Sequence, residues 1–347
     1  MISYRIGSAS ALAGALLSAA GCLERTETIT VARDGGVTID LRYSGDPQSF
    51  DRPEALPGEK SGWRIQRRSE TDEEGKVTEI WTSRRRFEPR EKLPSNFGAK
   101  DDPNTDLYLS FPTTVRHDRR ADGMYLHFRR VYEPRKWAYV QFWRDHFVDD
   151  EVQAIMDKPV EELADGERVR LLKLLVGLEL FKQVELAGAA LEDCGQDVPQ
   201  DVWLRARAAM LSAVEKTDWE DFVRRALAIE LKEERDEYFA GESRRLLDEA
   251  YAAFLDELLA AAGGDEPLHD RFDAAFDRAK THYDITSQLG SDHFKIHVNM
   301  PGELIAHNAD KIADDGSAVW EFDGKAFRDR PFELMVTTRL PATRDDK

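Results

Sequence analysis

The hydrophobic period of this chain changes twice, and the two changes limit the folds open to it. In "TITVARDGGVTIDLRY" (28–43) apolar residues fall at alternate positions on both sides of Asp34-Gly35-Gly36. That is the pattern of two half-buried strands around residues that tolerate positive φ. A second hairpin is predicted in "GWRIQRRSETDEEGKVTEIWTSRRRF", with its turn near Glu74-Gly75, and further strands at 107–115 and 124–132. From about 150 the recurrence becomes helical: Val169, Leu171, Leu172, Leu174, Leu175, Leu178 and Leu180 mark one face of a long helix. Five helices are predicted up to about 288. The third opens on Thr217-x-x-Glu220, the spacing of a capping box, and the fourth stops at Gly263-Gly264. Strand character returns in "DHFKIHVNM", "SAVWEF" and "PFELMVTTRL". Short strands are marginal as isolated pairs, so the late ones should complete the sheet begun by the early ones. The expected class is α+β: a mostly antiparallel sheet formed by N- and C-terminal strands, with an inserted helical block. In residues, that is a discontinuous β-rich domain over 22–149 and 286–347 and a helical insertion or lobe over 150–285.

The first 22 residues, "MISYRIGSASALAGALLSAAGC", hold one cation, Arg5, and a small, apolar run from Ala11 to Ala20. Such a run is too short to span a bilayer, which takes roughly 20 residues, and it suits the apolar region of a signal peptide. Small residues then lead to Cys22, after which the chain turns polar. Gly21 and Ala20 fit the lipobox of bacterial lipoproteins, and Ala19 departs from its usual Leu. A signal peptide over 1–21 is therefore expected, with Cys22 lipidated by palmitate-type acyl chains and the mature protein anchored to a membrane of the bacterial cell envelope. The alternative is an ordinary signal peptidase reading Ser18-Ala19-Ala20 as its small-x-small site.

Charge excludes one large class of partner. Net charge is −18, and residues 151–280 alone carry 17 Lys+Arg against 31 Asp+Glu. Phosphate backbones need clustered cations, so no nucleic-acid binding is expected. Cysteine says little more. Cys22 and Cys194 are the two in the chain, and with Cys22 acylated Cys194 reads as a small buried apolar residue.

The late run "NMPGELIAHNADKIADDGSAVWEF", taken with the early Gly-rich hairpin, resembles the LppM-like domain of bacterial surface lipoproteins. The residues that carry the resemblance are Met300-Pro301-Gly302, Asn308, the Asp315-Gly316 turn and Trp320. Pro301 ends a ladder, Gly302 allows a sharp corner, Asn308 is expected to bond nearby backbone, and Trp320 and Phe322 share one strand face. The similar segments are about 22–45 and 290–340; the helical block and the basic hairpins depart from the pattern. The resemblance implies an α+β lipoprotein domain without an assigned activity, and it supplies no catalytic residues.

No GxSxG elbow, P-loop or GxGxxG fingerprint occurs, so the chain reads as non-enzymatic and without a cofactor. His293 and His297 share one strand face and are the candidate metal ligands. Lys295 stands between them on that face, and no metal site is expected. The segment "MYLHFRRVYEPRKWAYVQFWRDHF" interleaves aromatics with cations. Its plainest role is packing strands against the helical block. Its functional role would be to hold an anionic or sugar-bearing ligand through Arg129, Arg130, Tyr132, Trp137, Tyr139 and Trp143. The function expected overall is a lipid-anchored binding or interaction module, with a lipid, a glycan or another envelope protein as partner. An alternative is a carrier that holds an apolar ligand between sheet and helices. A metal-dependent hydrolase, which would need His282, His293 and His297 to converge, is a distant third.

Overall fold

The computed structural model describes residues 23–52, 54, 56–73, 75–98, 102–136, 149–158, 162–229, 232–261 and 266–341. The expected signal peptide, Cys22, Gly263-Gly264, Trp137, Tyr139 and Trp143 lie outside them. By its contacts the chain divides into a β unit, residues 20–137 and 281–347, and a helical unit over 138–280.

Eleven strands are described in the β unit, in two sheets. They are β1 (Glu24–Val31), β2 (Val37–Gly45), β3 (Arg64–Thr71), β4 (Val77–Phe87), β5 (Thr113–Arg120), β6 (Gly123–Tyr132), β7 (His293–Asn299), β8 (Glu303–His307), β9 (Lys311–Ile312), β10 (Ala318–Asp323) and β11 (Phe332–Pro341). The larger sheet has the order β3-β4-β2-β1-β7-β10-β9 and the smaller β5-β6-β11-β8. The expected joining of early and late strands occurs in both sheets: β7 lies beside β1, and β11 beside β6. The β1–β7 ladder is parallel, whereas the others are antiparallel.

Both predicted hairpins form. In the first, Gly35 has φ of 87°, its N–H donates to Ala32 O, and the Gly36 N–H donates to the Asp34 side chain at 2.9 Å. In the second, Gly75 N–H donates to Asp72 O. The strand expected at 107–115 instead starts at Thr113. Pro112 has no N–H to give a ladder, and of the apolar residues before it Leu107 is buried in a short 3-10 turn and Leu109 and Phe111 in irregular chain.

The inward face of the larger sheet carries Ile29, Val31, Ile39, Leu41, Phe294, Ile296, Val298 and Trp320. Aromatic rings join it to the smaller sheet: Tyr132 of β6 stacks on Phe327 and meets Phe294 and Phe322 edge-on, with centroids 5.5–6.0 Å apart. Rings at such separations contribute about 0.5–1.5 kcal/mol beyond their buried area.

The helical unit holds α1 (Asp150–Met156), α2 (Asp165–Asp193), α3 (Gln200–Glu215), α4 (Trp219–Leu227) and α5 (Lys232–Ala261), with α6 (Glu266–Leu289) reaching into the β unit's residues at its C-terminal end. Two expectations change here. Asp218, not Thr217, caps α4, its carboxylate accepting the Asp221 N–H at 2.9 Å. The long third helix is broken after Leu227, and its remainder is continuous with the fourth as α5. Leu180, Val184, Leu191, Met210, Phe254, Leu258 and Phe272 form this unit's core. Exposed i,i+4 pairs such as Arg205–Asp201 and Arg245–Glu249 line its outer faces. Among the described residues no helix is long and apolar enough to cross a membrane.

Candidate functional site

Strand alternation separates the residues proposed to hold a ligand. Successive side chains of β6 point to opposite faces. Arg129 is therefore exposed and pairs with Glu333 on β11, while Arg130 and Tyr132 face the interior. Arg130 Nε donates to Thr113 Oγ1 at 2.8 Å, and its Nη1 to Glu27 Oε2 at 2.5 Å. Its guanidinium also lies over the Phe111 ring, 5.0 Å from the centroid. These three residues thus do not share one surface.

Arg130 belongs instead to a buried set of charges that the sequence reading missed. Arg25 and Glu27 stand on the core face of β1, in phase with Ile29 and Val31. Arg25 Nε donates to Asp292 Oδ2 at 2.8 Å, and its Nη2 pairs with Glu54. Arg52 Nη1 and Nη2 donate to the two Asp292 oxygens at 2.7 and 3.1 Å. Arg25, Arg52 and Arg130 are thereby matched by Glu27, Glu54 and Asp292, and each of the six side chains is at most 7% exposed. Burial alone would lower the Arg25 pKa, but Asp292 and Glu54 carry it well above its ordinary value. Burial also pushes Tyr43 far up, and Tyr132 up to about 12 with Arg130 opposing.

A cavity of about 20 Å³ lies beside this set, lined by Arg25, Glu27, Tyr43, Phe111, Tyr132 and Phe294 among others. That is room for one water. Glu27 Oε1 and Arg130 Nη2 have no hydrogen-bond partner among the described residues. With its carboxylates sealed and its charges balanced, the cluster is suited to fixing strand register rather than to proton transfer with a substrate.

The histidines stay apart. His293 and His297 share the outer face of β7, with Lys295 between them on that face. Lys295 pairs with Glu321 at 3.0 Å. Burial first and Lys295 second lower the His297 pKa. Among the described residues no three His, Cys, Asp or Glu side chains are grouped to hold a metal ion, so His282, His293 and His297 do not converge.

The surface offers a different kind of site. Five large apolar side chains of the β unit are exposed among the described residues, and four of them, Leu304, Ile305, Ile312 and Met335, lie on β8, β9 and β11. Among the described residues β8 ends the smaller sheet and pairs only with β11, and all five of its residues are exposed. A bulge falls between Thr337 and Thr338 of β11. One of the other sheet's two outer strands, β3, carries Arg64, Arg67, Arg68 and Glu70, the charged residues that keep an edge from pairing. β8 reads Glu-Leu-Ile-Ala-His and lacks that protection at its centre. Asn308 holds its end in place, and not through nearby backbone as the sequence suggested. Asn308 Oδ1 accepts the Met335 N–H at 2.8 Å and Trp320 Nε1 at 3.2 Å, and its Nδ2 donates to Glu333 O at 2.7 Å. Asn308 thereby ties β11 to the buried Trp320 of the other sheet.

Comparisons with known proteins add one likeness. No family model matches the chain, and no curated protein matches it. Among solved structures, it is similar to the folded domain of LppM from Mycobacterium tuberculosis. The similarity covers 93% of this chain and 92% of that one, at 8% identity and a TM-score of 0.28. At that score the likeness carries no weight on function, which this chain's own residues must supply.

Proposed function

We propose that this protein is a lipid-anchored, non-enzymatic component of the bacterial cell envelope that works as an interaction module, taking a strand of another envelope protein along the open edge of β8. The observation that carries this is the exposure of that edge: Leu304 is 36% and Ile305 45% exposed, and Met335, near the other end of β8 on β11, is 43% exposed. An edge strand gives a partner main-chain hydrogen bonds, and its apolar side chains add selectivity. A surface role is supported by the cavity described inside the β unit, whose volume of about 20 Å³ is far below the ~300–1,000 Å³ of small-molecule pockets. Anchorage is supported by the small-residue approach to Cys22 and by Leu23, which is fully buried at the head of the fold.

A photo-reactive amino acid placed at Ile305 in the native host tests the edge. The expected result is a discrete cross-linked protein that is absent when the same residue replaces Arg68 on β3. Equal cross-linking from both positions, or none from Ile305, would overturn the proposal. Fatty-acid labelling tests the anchor: label should enter the wild type and be lost in Cys22→Ala, and label that persists in the variant removes the anchor from the proposal.

A further inference from the structure

We infer that the β unit sits flush on the bilayer, with no tether, and turns one defined end of its larger sheet to the lipid headgroups. This rests on the proposed lipidation of Cys22 and adds an orientation to it. Cys22 is one peptide bond from Leu23, and consecutive Cα atoms are about 3.8 Å apart. Leu23 is already part of the folded body. It is fully buried, its N–H donates to Asp292 Oδ1 at 3.4 Å, and its C=O accepts the His293 N–H at 3.1 Å. A flexible linker of even 12 Gly/Ser residues would give an anchored domain a reach of ~20 Å. Here that freedom is absent, since the chain is fixed one residue after the acylated position.

The same geometry identifies the end that meets the membrane. β1 leaves Leu23 and runs away from the anchor, paired to β2 from Glu24↔Ser44 to Val31↔Val37. Eight residues at about 3.3 Å each put the Arg33 turn roughly 25–30 Å farther from the anchor. Near the anchor, by contrast, lie the short helical turn Pro47–Phe50 that follows β2 and the start of the turn after β10. A Cβ on Gly45 would meet Leu23 Cδ1 at 3.3 Å and Ser49 Cβ at 3.1 Å, and the Gly324 N–H donates to Asp292 O at 3.2 Å. Gln48 and Lys325, both exposed, occupy this end. The headgroup-facing surface is therefore built from the first residues of β1 and β7 and the last of β2 and β10.

Energy transfer from single dye-labelled thiols to a headgroup-labelled lipid tests this. The full lipidated protein, carrying Cys194→Ala, is reconstituted into phosphatidylcholine vesicles containing acceptor-labelled phosphatidylethanolamine. Dyes are placed through Gln48→Cys, Lys325→Cys or Arg33→Cys. Transfer should be at least about twofold stronger at Gln48 and Lys325 than at Arg33, as a separation of roughly 25–30 Å implies. Inserting 12 Gly/Ser residues between Cys22 and Leu23 should remove most of that difference. Equal transfer at the three positions overturns the orientation, as does a difference unmoved by the insertion. The intact mass of the same sample separates this failure from failure of the premise: without a diacylglyceryl group on Cys22 both proposals fall, whereas a lipidated protein with equal transfer loses the orientation alone.

Discussion

Arg130 and Glu27 give a sharp test of what the interior charges do. Their side chains are 1% and 7% exposed and meet at 2.5 Å. Arg130→Met leaves the Glu27 carboxylate buried with Oε2 stripped of its partner and Oε1 without one already. Removing one member of a buried pair costs about 3–5 kcal/mol, because the survivor is an uncompensated charge, whereas replacing both by apolar residues of similar volume is often neutral or stabilising. Thr113 loses a hydrogen bond as well, which adds ~1 kcal/mol at most. Arg130→Met and Glu27→Leu are each expected to destabilise the β unit by about 3–5 kcal/mol, and the double variant to lie within ~1–2 kcal/mol of wild type because the unpaired charge is gone. Native-state hydrogen exchange at the β1 and β6 amides is the suitable assay, since it reads this unit's opening free energy separately from that of the helical unit. A single Arg130→Met variant that loses less than about 1 kcal/mol would refute the reasoning. So would a double variant that loses the sum of the two singles.

Tyr132 should make the same region sensitive to alkali. Its folded pKa of about 12 lies above the usual 10, so its contribution is whole below pH 10 and is lost as pH rises through about 12. The part of the tyrosinate absorbance that Tyr132→Phe removes should therefore rise together with unfolding in that window, and that part appearing on an intact fold would contradict this. Asn308→Ala removes three side-chain hydrogen bonds and is expected to cost about 1–2 kcal/mol net, with faster exchange at the Met335 amide as its local sign. Lys295→Met should raise the pKa of both His297 and Glu321, because the cation depresses each; Glu321 starts from about 2, held there by Lys311 and Lys295. An NMR titration in which either group stays where it was would remove Lys295 as the cause.

What was legible in the sequence follows the range of the interaction responsible. The two hairpins were, because Asp34-Gly35 and Gly75 act within a few residues of their own strands. The joining of early and late strands was also legible, from period and from the weakness of isolated pairs. Pro112 was a visible signal against a strand through 107–115, overridden by the apolar run around it. The α4 cap was ambiguous locally: Thr217 and Asp218 are adjacent, and the acid won. The interior charges left half a signature. Arg25 and Glu27 fall in phase with Ile29 and Val31, so polar groups on a predicted core face were there to be noticed. Their partners were not, since Asp292 lies 267 residues from Arg25 and no local pattern connects the two. The split of Arg129 from Arg130 needed only the alternation of β6; an aromatic-basic segment invites a surface interpretation that strand geometry denies.

The parallel β1–β7 ladder has a consequence in time. β1 is made long before its neighbour: the strand that covers one of its edges begins at His293, 269 residues after Glu24. At about 5–20 residues per second, that partner arrives roughly 15–55 s later. Until then β1 can pair with β2 alone and leaves a row of main-chain groups open. A chain stalled anywhere before His293 therefore presents an adhesive strand to its surroundings. The arrival of β7 ends that exposure, so the pairing of β1 is timed by a strand that follows the whole helical block in the sequence.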